Sequence, residues 1–445
     1  MDFKVTKGGG LNGEVTLPGD KSISHRSIMC AALATGETVI NGFLRGEDCL
    51  ATLNAFKQMG VDIQQDGSKV KVQGVGLHGL KEPKTELYLG NSGTSMRLMS
   101  GLLAGQNFYS TLTGDLSLST RPMKRVVDPL TLMGANIHTN SAGTSPIEIR
   151  PTDRLLPITY SLPVASAQVK SCLMFAALYA DGPVVVKEPV QTRNHTELMF
   201  KKFGIQVEIK SLSDKRELKI FPVTSIPGTE INIPADFSSA AFLVLAALIT
   251  PDSDLTLKNV GLNPSRTALL GVLKEMGADI SISNFSDDYE PCGDLKIKSS
   301  LLKGISLNPS LIPNLIDELP VLFVAAALAE GKTSITGAAE LRAKESDRLE
   351  AMASTLEQLG VKFKLFEDAI DIQGLNQEFY ISNSSLPFKS SVINSFGDHR
   401  IAMASAIACT RAEGESLIQD TQNIVTSFPN FLDISNKVGL DIRNN

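Results

Sequence analysis

One pattern recurs six times and constrains the fold of this chain more than any local propensity does: an apolar residue, then glycine, then an extended apolar alternation. It occurs at Met59-Gly60-Val61-Asp62-Ile63, Met133-Gly134-Ala135-Asn136-Ile137, Phe203-Gly204-Ile205-Gln206-Val207, Met276-Gly277-Ala278-Asp279-Ile280, Leu359-Gly360-Val361-Lys362-Phe363 and Val438-Gly439-Leu440-Asp441-Ile442. Successive glycines lie 74, 70, 73, 83 and 79 residues apart. Each follows an amphipathic segment and precedes a strand-like alternation, as a helix C-cap followed by a strand does. A second, more apolar helix precedes each glycine within its unit, over residues 24–35, 93–104, 168–180, 236–250, 317–330 and 398–413. Their composition marks them as buried helices of a core. The chain therefore reads as six repeats of two helices plus several strands. Repeats of this length, roughly twice a solenoid unit, close into globular domains rather than an open array.

The 445 residues suffice for two or three domains, and the 42% hydrophobic content gives each a core. A formal charge of −6 and a pI near 5.6 argue against nucleic acid as the main partner, so any anion binding must be local. The five cysteines, Cys30, Cys49, Cys172, Cys292 and Cys409, are scattered, odd in number and without metal-ligand spacing. They suggest neither a disulfide framework nor a zinc site, and a reducing compartment is expected. The opening residues lack a basic-then-apolar signal region, and the longest apolar run, Ala240 to Ile249, is too short to span a bilayer. A soluble cytoplasmic protein is expected.

The polar starts of the buried helices carry nearly all the unusual side chains. If the repeats of a domain pack alike, their helix N-termini pool partial positive charge on one face, and an acidic protein can still present an anion site. At the first helix, Leu17-Pro18-Gly19-Asp20-Lys21-Ser22-Ile23-Ser24-His25-Arg26 sets a lysine, two hydroxyls and an arginine after a Pro-Gly turn, with Ser22 or Ser24 able to cap. At the second, Leu89-Gly90-Asn91-Ser92-Gly93-Thr94-Ser95-Met96-Arg97 is a small-residue loop in which Gly93 permits close approach to a ligand and Thr94 or Ser95 can cap. Ser119-Thr120-Arg121-Pro122-Met123-Lys124-Arg125 then puts three cations at a helix start, against the macrodipole, which a bound anion would explain. The third buried helix opens on Ala165-Ser166-Ala167-Gln168, and Thr192-Arg193-Asn194-His195-Thr196 starts the amphipathic helix after it.

In the second half, Asp317-Glu318-Leu319-Pro320 caps the fifth buried helix, where an aspartate is more often a cap than a catalyst. Within Leu341-Arg342-Ala343-Lys344-Glu345-Ser346-Asp347-Arg348-Leu349, Lys344 and Arg348 fall on one helical face with Glu345 beside them. That is either an exposed salt-bridged helix or a cation site with a carboxylate placed for proton transfer. Gly397-Asp398-His399-Arg400 opens the sixth buried helix.

Taken together, the Lys21–Arg26 string, the Gly-Asn-x-Gly-Thr-like loop at Gly90, the Arg121-Pro122 pair, the Lys344-Glu345-x-Asp347-Arg348 motif and His399-Arg400 resemble the EPSP synthase family of enolpyruvyl transferases over essentially the whole chain. The resemblance implies an α+β fold of two similar domains, each of three two-helix plus multi-strand repeats, an inverse α/β barrel. It implies crossovers that make residues 21–234 one domain and 1–20 with 235–445 the other, with the active site in the cleft between them. The implied activity, in the shikimate pathway of aromatic amino acid biosynthesis, transfers the carboxyvinyl group of phosphoenolpyruvate to the 5-hydroxyl of shikimate 3-phosphate, releasing phosphate. No metal or cofactor, nucleic acid or membrane is implied, and a monomer is expected.

By the same resemblance Lys21, Ser22, Arg26, Ser166, Ala167 through its backbone, Gln168, Arg193, Asp317 and Lys344 meet shikimate 3-phosphate. Lys21, Asn91, Gly93, Arg121, Gln168, Arg348, His399 and Arg400 meet phosphoenolpyruvate. Asp317 takes the hydroxyl proton, and Glu345 and Lys21 serve the methylene carbon and the leaving phosphate. Two anionic substrates would account for these cations, and for Lys124, in an acidic chain. Leu98, Glu340, Thr192 and Thr426 stand where many members carry Pro, Asn, Ser and a phosphoenolpyruvate-binding Lys, departures that fit the divergent glyphosate-tolerant bacterial subclass. The alternatives are transfer to UDP-N-acetylglucosamine, whose enzymes carry a loop cysteine absent from residues 107–120, and a non-catalytic or RNA-end-processing protein of the same repeats.

Overall fold

Each of the six repeat glycines lies just past the end of a helix, with φ between +73° and +114°. The helices concerned are Glu47–Gln58, Lys124–Leu132, His195–Lys202, Ala268–Glu275, Arg348–Gln358 and Phe431–Lys437. In every case the N–H of the following apolar residue reaches back to a carbonyl in the last helical turn, as Val61 N does to Phe56 O at 3.1 Å and Ile205 N to Phe200 O at 2.8 Å. This is the Schellman closure, in which the left-handed glycine lets the chain turn back and start a strand. The computed structural model describes residues 1–212, 215–382 and 384–445.

The more apolar helices are Lys21–Leu33, Gly93–Leu103, Ala167–Ala177, Phe237–Ile249, Leu319–Leu328 and His399–Cys409. Every residue of Phe237–Ile249 and of Leu319–Leu328 is buried, and these two pack on one another and on His399–Cys409. Each fully buried Leu or Phe contributes ~1.5–3 kcal/mol relative to exposure. Gly93–Leu103 crosses Ala167–Ala177 so closely that a Cβ on Gly101 would meet Cys172 O at 2.0 Å. Among the described residues, no single helix is long and apolar enough to cross a membrane.

The chain divides into two compact units, Gly19–Ile233 and the pair Met1–Pro18 with Pro234–Asn445, one or two residues before the expected crossovers. Every repeat builds a small sheet, and Phe388–Lys389 adds a two-stranded one with Ala412–Glu413. In the third, Thr159–Ser161 runs parallel to Val184–Glu188, which pairs antiparallel with Lys215–Ile220, and that strand with Val207–Leu212. The first and fourth repeats take their parallel edge strand from chain that has just finished elsewhere. Glu230–Asn232 pairs with Thr35–Asn41, and Asn12–Thr16 with Asp254–Gly261. Each crossover thus replaces one strand-to-helix step within a repeat. In the sixth, the N-terminal strand Phe3–Thr6 fills the place between Ser416–Gln419 and Asp441–Asn444.

The starts of the core helices within each unit come together. In Gly19–Ile233 the link is His25, fully buried, whose Nδ1 lies 2.8 Å from Thr52 Oγ1 and 3.2 Å from Ser95 Oγ, and whose Nε2 lies 3.4 Å from Ser92 Oγ. Burial, and then the charges of Lys21 and Arg26, hold its pKa well below the ordinary 6.5. Below pH 6.5 an unfolded chain therefore takes up a proton that folded His25 refuses. Its contribution to stability is complete above that pH and is lost as pH falls, by up to ~1.4 kcal/mol per pH unit. His25→Gln should flatten the decline of urea-denaturation stability between about pH 7 and pH 5; equal slopes in the two proteins would show that the imidazole is protonated without penalty.

Two glycines test the backbone argument with opposite signs. Gly204 has φ +73° and open space around its missing side chain, whereas Gly271, inside Ala268–Glu275, has open space and no positive φ. Gly204→Ala should lower stability by about 1–2 kcal/mol. Gly271→Ala should raise it by about 0.5–1 kcal/mol. Urea midpoints that move in the same direction would refute the assignment.

Candidate active site

Within Gly19–Ile233, Asp20 rather than Ser22 or Ser24 caps the first core helix, accepting from Ile23 N at 2.8 Å. A carboxylate directly after the Pro-Gly turn reaches the open N–H groups first, and Ser24 instead accepts from Leu44 N at 3.0 Å. Lys21 is then the first helical residue, its ammonium paired with the buried carboxylate of Asp48. Arg26 is held at three points, donating to Thr196 Oγ1 at 2.7 Å, to Ser22 O at 2.8 Å and to Ser171 Oγ at 3.0 Å. Burial lowers its pKa to about 10, and the neighbouring charge of Arg193 acts in the same sense. Arg26 thus joins the third core helix, through Ser171, to Thr196, three residues after Arg193, and Ser166 caps that core helix by accepting from Val169 N at 3.3 Å. Ser166, Ala167 and Gln168 are half-buried there, as Arg193 is.

A second cluster surrounds Gly93. Ser92, not Thr94 or Ser95, caps this helix, accepting from Ser95 N at 3.1 Å, because Ser92 is the last residue in extended conformation. Arg121 donates to Asn91 O at 3.2 Å, to Asn91 Oδ1 at 2.5 Å and to Ser117 Oγ at 3.2 Å, while Asn91 Nδ2 donates to Asp115 Oδ2 at 2.7 Å. Arg97 donates to Gln168 Oε1, and Gln168 Nε2 to Thr94 Oγ1 at 3.1 Å, which joins the second and third helix starts. A methyl group on Gly93 would sit 3.2 Å from Arg97 Nη1 and 3.3 Å from Arg121 Nη1. Arg97 was not singled out by sequence. Its signal is a place four residues after Gly93, on the same helical face. Lys124 is exposed.

In the other unit Asp317 does not cap a helix. The fifth core helix begins at Leu319, with Glu318 at the cap position and without a side-chain cap bond, because Pro320 suits the first turn. Asp317 therefore lies in the turn before it. Its carboxylate is 3.5 Å from Arg348 Nη1, 3.7 Å from Arg400 Nη2 and 3.8 Å from Arg266 Nη1, and Arg400 Nη1 donates to its carbonyl at 2.9 Å. Residues 344–347 are not helical either. A 3₁₀ turn, Ala339–Ala343, ends before them, and Asp347 caps Arg348–Gln358 by accepting from Glu350 N at 3.1 Å. Lys344 and Arg348 hence share no helical face, although Arg348 Nη2 does donate to Glu345 Oε2 at 2.5 Å.

Arg348 is fully buried and donates from Nε to Asp398 Oδ2 at 2.7 Å, while Asp398 also caps the sixth core helix by accepting from Arg400 N at 2.9 Å. Burial works against the Arg348 charge, but Asp398, Glu345 and Asp317 outweigh it and raise its pKa. Burial lowers the pKa of Lys344, against the opposing pull of Asp317 and with the help of Arg348. His399, buried, is the first residue of the sixth core helix. Thr426 is buried and donates to Asn423 O at 2.7 Å, and Leu98 lies wholly in the core. Arg266, Glu318 and Asp398 also escaped the sequence reading. Arg266 lies eleven residues before its repeat glycine, as Arg193 does, so superposing the repeats would have marked it.

Within each unit these groups are of the kind that recognises anions, and in the second the carboxylates of Asp317 and Glu345 both lie beside the Arg348 guanidinium. The sequence profile of the EPSP synthase (3-phosphoshikimate 1-carboxyvinyltransferase) family matches residues 5–434. A 3-phosphoshikimate 1-carboxyvinyltransferase of Alkalilimnicola ehrlichii is 51% identical, covering 99% of this chain and 96% of its own. One of Methylococcus capsulatus is 49% identical over 99% and 98%. A solved EPSP synthase of Acinetobacter baumannii is similar at a TM-score of 0.88 and 46% identity, with 99% of both chains covered. The enolpyruvyl transferase NikO of Streptomyces tendae shares the fold at a TM-score of 0.77 and 15% identity, over 100% of this chain and 98% of its own. These matches favour neither transfer to UDP-N-acetylglucosamine nor a non-catalytic or RNA-processing role: the chain belongs to the EPSP synthase family.

Proposed function

We propose that the clusters of the two units serve one reaction, the transfer of the carboxyvinyl group of phosphoenolpyruvate to the 5-hydroxyl of shikimate 3-phosphate with release of phosphate. The observation that carries this reading is the gathering of guanidiniums at adjoining helix starts, Arg26 near Arg193 and Arg97 with Arg121 around Gly93. A reaction between two anions needs two such places held near one another. Arg26, Arg193 and the Ser166 hydroxyl bind the shikimate phosphate, joined by Lys21, Ser22, Ala167, Gln168 and Lys344. Arg121, Asn91, Lys21 and the Gly93 backbone bind phosphoenolpyruvate, with Arg348, His399 and Arg400 on its other groups. Arg97 joins them through Gln168. Five thiols free of disulfides fit work in a reducing cytoplasm.

The hydroxyl oxygen forms a bond to C2 of phosphoenolpyruvate while its proton passes to Asp317 and C3 gains a proton, giving a tetrahedral intermediate. Loss of phosphate from C2 and of a proton from C3 then restores the double bond in the product. Glu345 and Lys21 serve the proton exchange at C3 and at the leaving phosphate, and the guanidiniums stabilise the charge. Phosphate release that depends on shikimate 3-phosphate tests the reading directly. Asp317→Asn keeps the shape and removes the base, so turnover should fall by roughly two to four orders of magnitude. Shikimate 3-phosphate should still bind by calorimetry. Near-normal turnover would leave Asp317 as an anchor for Arg348 and Arg400 only.

Glyphosate, a longer competitor for phosphoenolpyruvate in this family, probes Gly93. The added methyl of Gly93→Ala must displace Arg97 or Arg121, and Arg121 is tied to Asn91 and Ser117. The wild-type chain should be inhibited, and the variant should bind glyphosate at least about tenfold more weakly, ~1.4 kcal/mol, with a smaller rise in the KM for phosphoenolpyruvate. Equal inhibition constants in the two proteins would place Gly93 outside the pocket.

A further inference from the structure

Lys170 lies in the third core helix one turn after Ser166, and its side chain is wholly buried. Its ammonium is 3.0 Å from Glu188 Oε1 and 2.8 Å from Glu197 Oε1. Both carboxylates are themselves buried, and Arg216 Nη1 stands 4.0 Å from Glu188 Oε2. Among the described residues, ion pairs thus join Lys170 and Arg216 to Glu188 and Glu197. A buried set of this kind is weak evidence for stability by itself, since desolvation opposes the attraction. Its placement is what matters.

Glu188 ends the strand Val184–Glu188, and Glu197 lies in the first turn of His195–Lys202. Between them runs the segment that carries Arg193. Glu188 grips that segment by accepting from Thr192 N at 3.2 Å and from the Thr192 hydroxyl. At the far end, Glu197 is held by Lys170, and the adjacent Thr196 shares a 2.7 Å hydrogen bond with Ser171, the neighbour of Lys170. Thr196 and Ser171 are in turn the hydroxyls that receive Arg26. One buried lysine thus ties down both ends of the Arg193 segment and, through its neighbour, the seat of Arg26.

We infer that Lys170, acting through Glu188 and Glu197, is a positioning residue that sets the spacing of Arg26 and Arg193 for the phosphate of shikimate 3-phosphate. The inference rests on the reading of Arg26 and Arg193 as ligands of that phosphate. The phosphate takes no part in bond making, so loosening its ligands removes binding made equally in ground and transition states, and KM rises while kcat holds.

The experiment is steady-state kinetics with each substrate varied separately, on Thr192→Val, Glu197→Gln and Lys170→Met. Thr192→Val removes only the hydroxyl bond to Glu188 and keeps the answer available should Lys170→Met fail to fold. Expected is a rise of roughly five- to twentyfold in the KM for shikimate 3-phosphate, with kcat and the KM for phosphoenolpyruvate within about twofold of wild type. Thr192→Ser, which keeps the hydroxyl, should restore the wild-type value. An active wild-type enzyme whose folded variants keep their KM for shikimate 3-phosphate, or lose affinity for both substrates alike, would overturn this inference alone. A wild-type chain without shikimate 3-phosphate-dependent phosphate release would overturn the underlying reading as well.

Discussion

The core helices bury nearly every side chain they carry beyond their first turn, and this burial decides where polar chemistry can stand. Phe237–Ile249 has no polar side chain after Ser239, and Leu319–Leu328 has none at all. A charge along a core helix would stay desolvated unless it were paired, as Lys170 is with Glu188 and Glu197. The N-termini differ, since their first N–H groups lack partners within the helix and carry the positive end of the dipole. Asp20, Ser92, Ser166, Asp236 and Asp398 take up some of those N–H groups from their cap positions. The groups we propose as anion ligands collect beside them: Lys21 and Arg26, Gly93 and Arg97, Gln168, and Arg400.

Most of these cations come with carboxylates or amides already in place. Lys21 faces Asp48, Arg121 faces Asn91 backed by Asp115, and Arg348 faces Asp398 and Glu345. Gathering cations without such partners would add mutual repulsion to their desolvation. Asp398, with no exposure, is placed to hold Arg348 in the folded chain, whereas a flexible exposed acid could not. This also explains how a protein with a net charge of −6 builds strongly cationic places: some of its acids stand behind its cations.

How much of this was legible in the sequence depended on whether the signal was local. The Gly60-type marks were legible because a left-handed residue and an apolar neighbour on each side are fixed by the last helical turn alone. Helix starts were harder. At Asp317 the deciding feature was Pro320, three residues later, whose place in the first turn moves the cap to Glu318 and frees Asp317 to face three guanidiniums. At Lys344 the periodicity matched a helix, but the chain leaves its 3₁₀ turn at Ala343 and restarts only at Arg348. The edge strands that complete the first and fourth repeats were not legible in detail, because Glu230–Asn232 and Thr35–Asn41 pair across almost the whole length of one unit.

The repeats also place an arginine in the same slot twice. Arg193 and Arg266 each stand two residues before an outer helix, His195–Lys202 in one repeat and Ala268–Glu275 in the next. Arg266 reaches the start of the preceding core helix, where it donates to Ser238. In the third repeat that start offers hydroxyls, Ser166 at the cap and Ser171 one turn on, and Ser171 receives Arg26. In the fourth, Arg266 meets Asp317 at 3.8 Å and Glu318 at 3.5 Å and donates to Ser238 at 2.5 Å. There the arginine answers carboxylates of its own chain and helps fix the turn that carries Asp317. The slot supplies direction only, and the neighbouring helix starts determine whether its arginine is neutralised by carboxylates of the protein, as Arg266 is, or is left for the phosphate we propose for Arg193.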